Sequence, residues 1–265
     1  MMGWTRRSFL RAARAAGVVG AGGVGGLPIW QLAHAIGAGS RFRIARARLP
    51  GMGAEDPRPG AISRLIWEVL KRTSVDGDLD SPLVRVGDPV MFQHPFLLLA
   101  AEGGFSQPPE ADVERLRRWL GAGGFLLADS LGGEPGTGFD ASFRKLMRRT
   151  LPDLPLAVLP SDHTIYKSFY LLDRPYGRVQ VRPHLEGIDR DDRSMVVYSQ
   201  NDMPGAWARG PFGSWLMDVR PGGERQREMA MRMGVNAVLY ALTLNYKRDQ
   251  VHVPFLLKKR KWRAR

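Results

Sequence analysis

Cysteine is absent from the 265 residues. That excludes disulfides, thiolate nucleophiles, iron–sulfur clusters and Cys-ligated zinc. Histidine is scarce at five residues, and no HxH, HExxH or HxxxD spacing occurs. A metal ion is therefore not expected, and nor is any other cofactor. No G-x-S-x-G elbow is present, so a serine triad of the hydrolase type is not expected. A run of roughly 20 strongly apolar residues, as a spanning helix requires, is also missing. The longest weakly apolar stretch, 15–33, is broken by repeated glycines and Pro28.

What the chain has in excess is positive charge, a formal +13. Its distribution decides its meaning. Residues 1–35 carry +4 from Arg6, Arg7, Arg11 and Arg14, and residues 36–48 another +4 from Arg41, Arg43, Arg46 and Arg48. The tail 247–265 carries +7, while the body 49–246 is close to neutral at −2. A nucleic-acid protein spreads its basic footprint over the folded domain, so nucleic acid is not an expected partner.

The N-terminus reads as an address. Thr5-Arg6-Arg7-Ser8-Phe9-Leu10-Arg11 fits the twin-arginine export pattern, with Arg6, Arg7, Phe9 and Leu10 as its recognition residues. An uncharged Gly/Ala-rich stretch and Ala33-His34-Ala35 supply the apolar and cleavage regions. Residues 1–35 are thus expected to be an export signal, placing the protein in the periplasm or on the outer face of the cytoplasmic membrane. Gly20-Ala21-Gly22-Gly23-Val24-Gly25 fits GxGxxG but lies inside this signal, with no acidic residue before Glu55. A dinucleotide fingerprint needs a strand before it and an acid beyond it, so it is rejected.

Residues 41–246 read as one α/β domain. Arg41 to Leu49 alternates as an opening strand with one wet face. A Gly/Pro loop follows, then a helix over 61–73, a short strand over 83–86, and the continuous apolar strand Pro95 to Ala101. Ser106 or Gln107 is placed to cap a helix from Glu110 to Leu120, followed by the apolar strand 125–128. Strand, helix and strand with short loops imply a right-handed parallel βαβ unit. A Gly-rich loop from Asp129 to Gly138, a helix over 139–149, and a strand near 156–159 come next. A strand pair at 178–182 and 194–199 and a long helix from Glu224 to Tyr246 complete the domain. The expected class is α/β with an open parallel sheet.

In such sheets ligands bind at the carboxyl ends of strands. Three strand ends carry polar groups. The first is Asp129-Ser130, followed by Gly132 and Gly133, whose backbone N–H groups suit an anion or a plain turn equally. The second is Asp162-His163, where Asp caps and His is exposed in the bland case, or His163 meets Asp129 as acid/base in the other. The third is Asn201-Asp202, loop chemistry or a ligand group. Glu186 completes the candidate ligand-binding set.

The segments Pro95 to Ala100, Glu110 to Leu120 and Gly123 to Ser130 together resemble a bacterial family of unknown function, DUF4159. Leu159-Pro160 leading to His163, Leu185 to Ile188, Ser199 to Asp202 and Gly234 to Tyr240 extend the resemblance across nearly the whole domain. It implies a fold like the class I glutamine amidotransferases and the trehalose-utilisation-like proteins, with a three-layer, mostly parallel, flavodoxin-like core. The resemblance puts Asp129 in the place of the amidotransferase nucleophilic cysteine, and with no cysteine in the chain it implies that glutaminase chemistry is excluded. His163 falls where the trehalose-utilisation-like proteins carry His-Pro, but here Thr164 follows. The family has no established activity.

The tail 247–265 ends with six basic residues among its last eight, with Phe255 and Trp262 interleaved. It is either a solvated extension or an attachment to an anionic membrane surface, an envelope polymer or an acidic protein partner. The functional expectation is an exported, non-catalytic binding or assembly module. Its rival is a hydrolase or other enzyme on a sugar-like or polar envelope compound, with Asp129 and His163 as acid and base and Asp202 as a third candidate catalytic group.

Overall fold

A computed structural model describes residues 41–261 except 54, 133 and 192, giving the helical backbone alone from 244 to 261. Arg6, Arg7, Phe9, Leu10 and Gly133 lie outside the described residues, as do the side chains of the basic tail.

Strong apolar segments form the centre of the sheet. β1 (Ala45–Arg48), β3 (Phe96–Ala101), β4 (Phe125–Ser130) and β7 (Arg193–Ser199) run parallel, with the short β2 (Leu83–Arg85) parallel outside β1. β6 (Glu186–Arg190) is antiparallel to β7, and β5 (Ala157–Val158) antiparallel to β6. The order is β2-β1-β3-β4-β7-β6-β5. The parallel part follows the flavodoxin-like 2-1-3-4-5 order, so the switch point falls between β1 and β3.

Helices cover both faces, which is why the central strands are apolar on both sides. α1 (Ala61–Arg72) turns Ile62, Leu65, Ile66 and Val69 inward at helical spacing. With α4 (Met203–Trp207) and α5 (Gly223–Lys261), it packs on Phe96, Leu98, Phe125, Leu127 and Val197. α2 (Glu110–Gly121) and α3 (Gly138–Thr150) pack on the other face against Leu97, Leu99, Leu126, Ala128 and Tyr198. Each fully buried Leu, Ile or Phe contributes about 1.5–3 kcal/mol. Two layers of helix about one sheet give the expected three-layer class.

Some local expectations change. α2 is preceded by Pro109, with no side-chain cap from Ser106 or Gln107. The fixed φ of proline and the acids Glu110 and Asp112 in the first turn suffice to start it. The partner of β7 is 186–190, not 178–182. Residues 178–182 are instead bound to the turn after β7, through Arg178 N–H to Asp202 O (3.0 Å) and Val179 N–H to Asn201 O (3.1 Å). Asp129 and Ser130 belong to β4 rather than to a loop beyond it.

Candidate functional site

Two of the three polar strand ends do meet. Asp129 pairs in register with Ser199 across β4 and β7. Its carboxylate, wholly buried, accepts from the backbone N–H groups of Asp202 (3.1 Å) and Met203 (2.7 Å). Asp202, also wholly buried and in the left-handed region at φ 51°, caps α4 by accepting from Gly205 N–H at 2.9 Å. Burial, and then the charge of Asp202, push the Asp129 carboxyl well above the usual range, against the hydrogen bonds from Met203, Asp202 and Ser199. Every one of these contacts is internal. Asp129 fastens the turn from β7 into α4, and no face of it is open to a ligand.

Asn201 is spent in the same way. Its Oδ1 accepts from Val181 and Arg182 N–H, both at 2.9 Å, and its Nδ2 donates to Arg182 O at 2.8 Å. The buried Asn236 repeats the device on α5. It accepts from Phe169 (3.1 Å) and Tyr170 (2.7 Å) N–H and donates to Tyr170 O. The polar residues that carry the sequence resemblance here are therefore clamps for irregular chain, which must satisfy its backbone groups somewhere.

The glycine loop after β4 is not an open cradle. A Cβ on Gly132 would lie 2.8 Å from Glu102 O, so the residue is small because two backbones touch. Gly136 N–H is donated to Asp140 Oδ2. Ser130 is buried in the strand.

His163 does not reach Asp129. Its Nδ1 accepts from Ile165 N–H at 3.2 Å, and its Nε2 lies 3.1 Å from Ser194 Oγ, which in turn donates to Asp189. Ser194 opens β7 whereas Ser199, beside Asp129, ends it. Five residues of strand separate the two levels, about 16 Å. The acid/base pair of Asp129 with His163 is thus corrected: they occupy opposite ends of the sheet. With Nδ1 accepting, Nε2 carries the proton and donates to Ser194, so the imidazole is no base for that serine. Burial holds the His163 pKa below its usual value despite Asp189 and Asp162. Glu186 stands apart as well. It takes the fork of Arg144 on the α3 face, whereas Asp129 faces α4 across the sheet.

A more open candidate lies elsewhere. A cleft of about 350 Å³ sits over the carboxyl ends of β1 and β3, at the switch point. Leu98 and Ala100 floor it, the start of α1 (Ala61, Ile62) walls it, and residues 51–53, 55–58 and Glu102–Gly104 form its lips. Arg46 and Arg48 stand on one face of β1, the alternates of the buried Ala45 and Ala47, and both line it. Arg46 is 3.7 Å from Asp56, while Arg48 Nε donates to Met52 O at 3.2 Å and has no carboxylate partner among the described residues.

Arg58 forms the inner wall and joins the cleft to the buried turn. Its side chain is 5% exposed. Nε and Nη2 reach Asp202 at 2.9–3.2 Å, and Nη1 donates to Glu102 at 2.7 Å. Arg178 also donates to Asp202. Glu102 is largely exposed on the lip. The lining thus offers arginines, the carboxylates Glu55, Asp56 and Glu102, and backbone at Gly51, Gly53, Gly103 and Gly104, with neither imidazole nor hydroxyl. No group of three or more His, Asp or Glu is placed to hold a metal among the described residues. No residue of this cleft was among the sequence candidates, although Arg46 and Arg48 alternating just before a Gly/Pro loop were its visible sign; Arg41 and Arg43 lie ahead of β1 and pair with Asp76 and Asp78.

Fold and cleft together define a three-layer α/β protein of flavodoxin-like strand order with an open cleft at its switch point. Its sequence matches the family described as Domain of unknown function (DUF4159) over residues 43–242, and the chain belongs to that family. A search of curated proteins gives no match.

Proposed function

We propose that this protein is a non-catalytic binding module of the cell envelope that takes a small anionic compound in the β1/β3 cleft. The observation that carries the proposal is Arg48. It lines a ligand-sized cleft and, among the described residues, is hydrogen-bonded to a backbone carbonyl and to no carboxylate, beside Arg46 and the buried Arg58. A carboxylate or phosphate group suits a guanidinium left without an acidic partner, and the lip carboxylates suit ligand hydroxyls. Asp129, Asp202 and His163 are spent on internal contacts, which favours binding over turnover. The twin-arginine pattern at Arg6 and Arg7 supports export, and the basic tail supports attachment to an anionic surface.

The test is thermal stabilisation by inorganic phosphate, a sugar phosphate and a hexuronic acid, each run on wild type and Arg48→Gln. A ligand at 100 times its Kd stabilises by about 2.7 kcal/mol. The expected result is a rise in Tm with at least one of the three, lost in Arg48→Gln. Equal shifts in both proteins, or none in either, overturn the proposal. Export is tested by fusing residues 1–40 to a reporter. Translocation is expected to stop when Arg6 and Arg7 both become Lys.

A further inference from the structure

We infer that the turn bearing Phe212, with Leu216 on the same hairpin and Trp67 joined to it through Arg64, is a docking surface for an anionic lipid bilayer. None of its residues lines the β1/β3 cleft. The residues between α4 and α5 form a tight hairpin. Arg209 bridges Trp215, Gly210 N–H donates to Ser214 O at 2.9 Å, and Leu216 N–H to Ala208 O at 3.2 Å. At its tip Phe212 is 98% exposed.

The hairpin is braced far more than a solvent loop requires. The Trp215 ring lies between two guanidinium groups, Arg209 at 3.9 Å and Arg227 at 4.3 Å. Arg227 is itself buried and donates to Ala206 O (3.0 Å) and Met217 O (2.8 Å), which ties the hairpin to the end of α4 and the start of α5. Arg64 spans from Trp215 to Trp67, at 5.9 and 4.2 Å, and Lys71 covers the same Trp67 ring at 4.9 Å. Trp67 and Leu216 are 40% and 45% exposed. The cation–aromatic ladder therefore ends in a rigid, convex apolar tip.

The shape and the charge name the occupant. A single protruding phenylalanine on a braced turn is the inverse of a groove and fits a deformable apolar layer. Indole rings such as those of Trp67 and Trp215, joined here through Arg64, suit headgroup depth. Lys71 is exposed on α1 with no carboxylate partner among the described residues, so it has a charge to offer anionic headgroups, while the acids that flank the hairpin in the chain, Asp218 and Glu224, are paired with Arg220 and Arg227.

The absence of cysteine makes the test specific. Phe212→Cys in the full chain takes one environment-sensitive fluorophore, and so does Val158→Cys on the opposite sheet edge as a control. Vesicles of equimolar phosphatidylglycerol and phosphatidylcholine are added. The expected result is a blue shift and quenching by nitroxide-labelled acyl chains at 212 and neither at 158. Phe212→Asp, which leaves Tm unchanged because the side chain touches nothing, is expected to weaken partitioning at least about tenfold. Vesicle binding with the 212 probe still in water would assign attachment to the chain termini alone and overturn the inference. Absence of vesicle binding, or capture by an acidic protein without any lipid response, would overturn it equally.

Discussion

Arg58→Met tests the centre of the structure. The substitution keeps the length and apolar stem of the side chain and removes its charge. Arg58 is 5% exposed and Asp202 wholly buried, and they share contacts at 3.1, 3.2 and 2.9 Å. Removing one member of a buried ion pair costs about 3–5 kcal/mol, because the survivor is left uncompensated in a poorly solvated place. Two features of the site reduce that figure. Arg178 still reaches Asp202, and Glu102, 63% exposed, returns to water at little cost. The expected loss is therefore about 2–3 kcal/mol. For a domain of this size that lowers Tm by about 5–10 °C. The assay is urea unfolding at neutral pH, in low salt and again in 1 M salt. A buried pair is screened little, so the difference should survive salt. The double variant Arg58→Met/Asp202→Asn should lose less than the sum of its parts, with a coupling of about 2 kcal/mol. A loss under about 1 kcal/mol, or one that disappears in salt, would show that the pair is a surface contact, and the wall of the cleft would then need another support.

Two further outcomes follow from the turn beside it. Gly177→Ala would place a Cβ 2.0 Å from Asn201 O. Backbone cannot yield as a flexible side chain does, so at least about 2–3 kcal/mol of stability should be lost in a chemical denaturation series. Asp129 gives a pH signature. Its carboxyl is raised in the folded state, so the unfolded chain ionises first. The stability from this group is complete below about 3.9, the ordinary aspartate value, and declines as pH rises through the folded value. Asp129→Asn gives up one backbone hydrogen bond at every pH but removes this slope. The wild-type minus variant difference in unfolding free energy should therefore fall as pH rises from about 4, and a flat difference would refute the shift.

Much of the fold was legible because it rests on local pattern. The apolar runs at 96–101 and 125–130 alternate with helical stripes at 62–69 and 113–120, and short loops between them leave only parallel pairing. What escaped the sequence was long-range. Residues 178–182 have strand composition, yet their backbone partners are Asn201 and Asp202, some twenty positions away, and not a ladder. Asn201 and Asp202 read equally well as ligand groups or as clamps, because the deciding partners, Arg58 and Arg182, lie far off in the chain. His163 followed a strand, but that strand is at the outer edge, and the chain turns back across β6 to Ser194. The arginines of β1 showed an outward face, and only the strand order reveals that this face opens on the switch point.

The margins of the sheet have a consequence for how the protein behaves in a crowd. Its two outermost strands, β2 and β5, are three and two residues long. An incoming chain could zip onto only a few backbone groups there, too few to repay the loss of its freedom. Copies meeting at high concentration therefore find no continuous template along which to add strands, and the long apolar strands that would serve as one are enclosed by their neighbours on both sides.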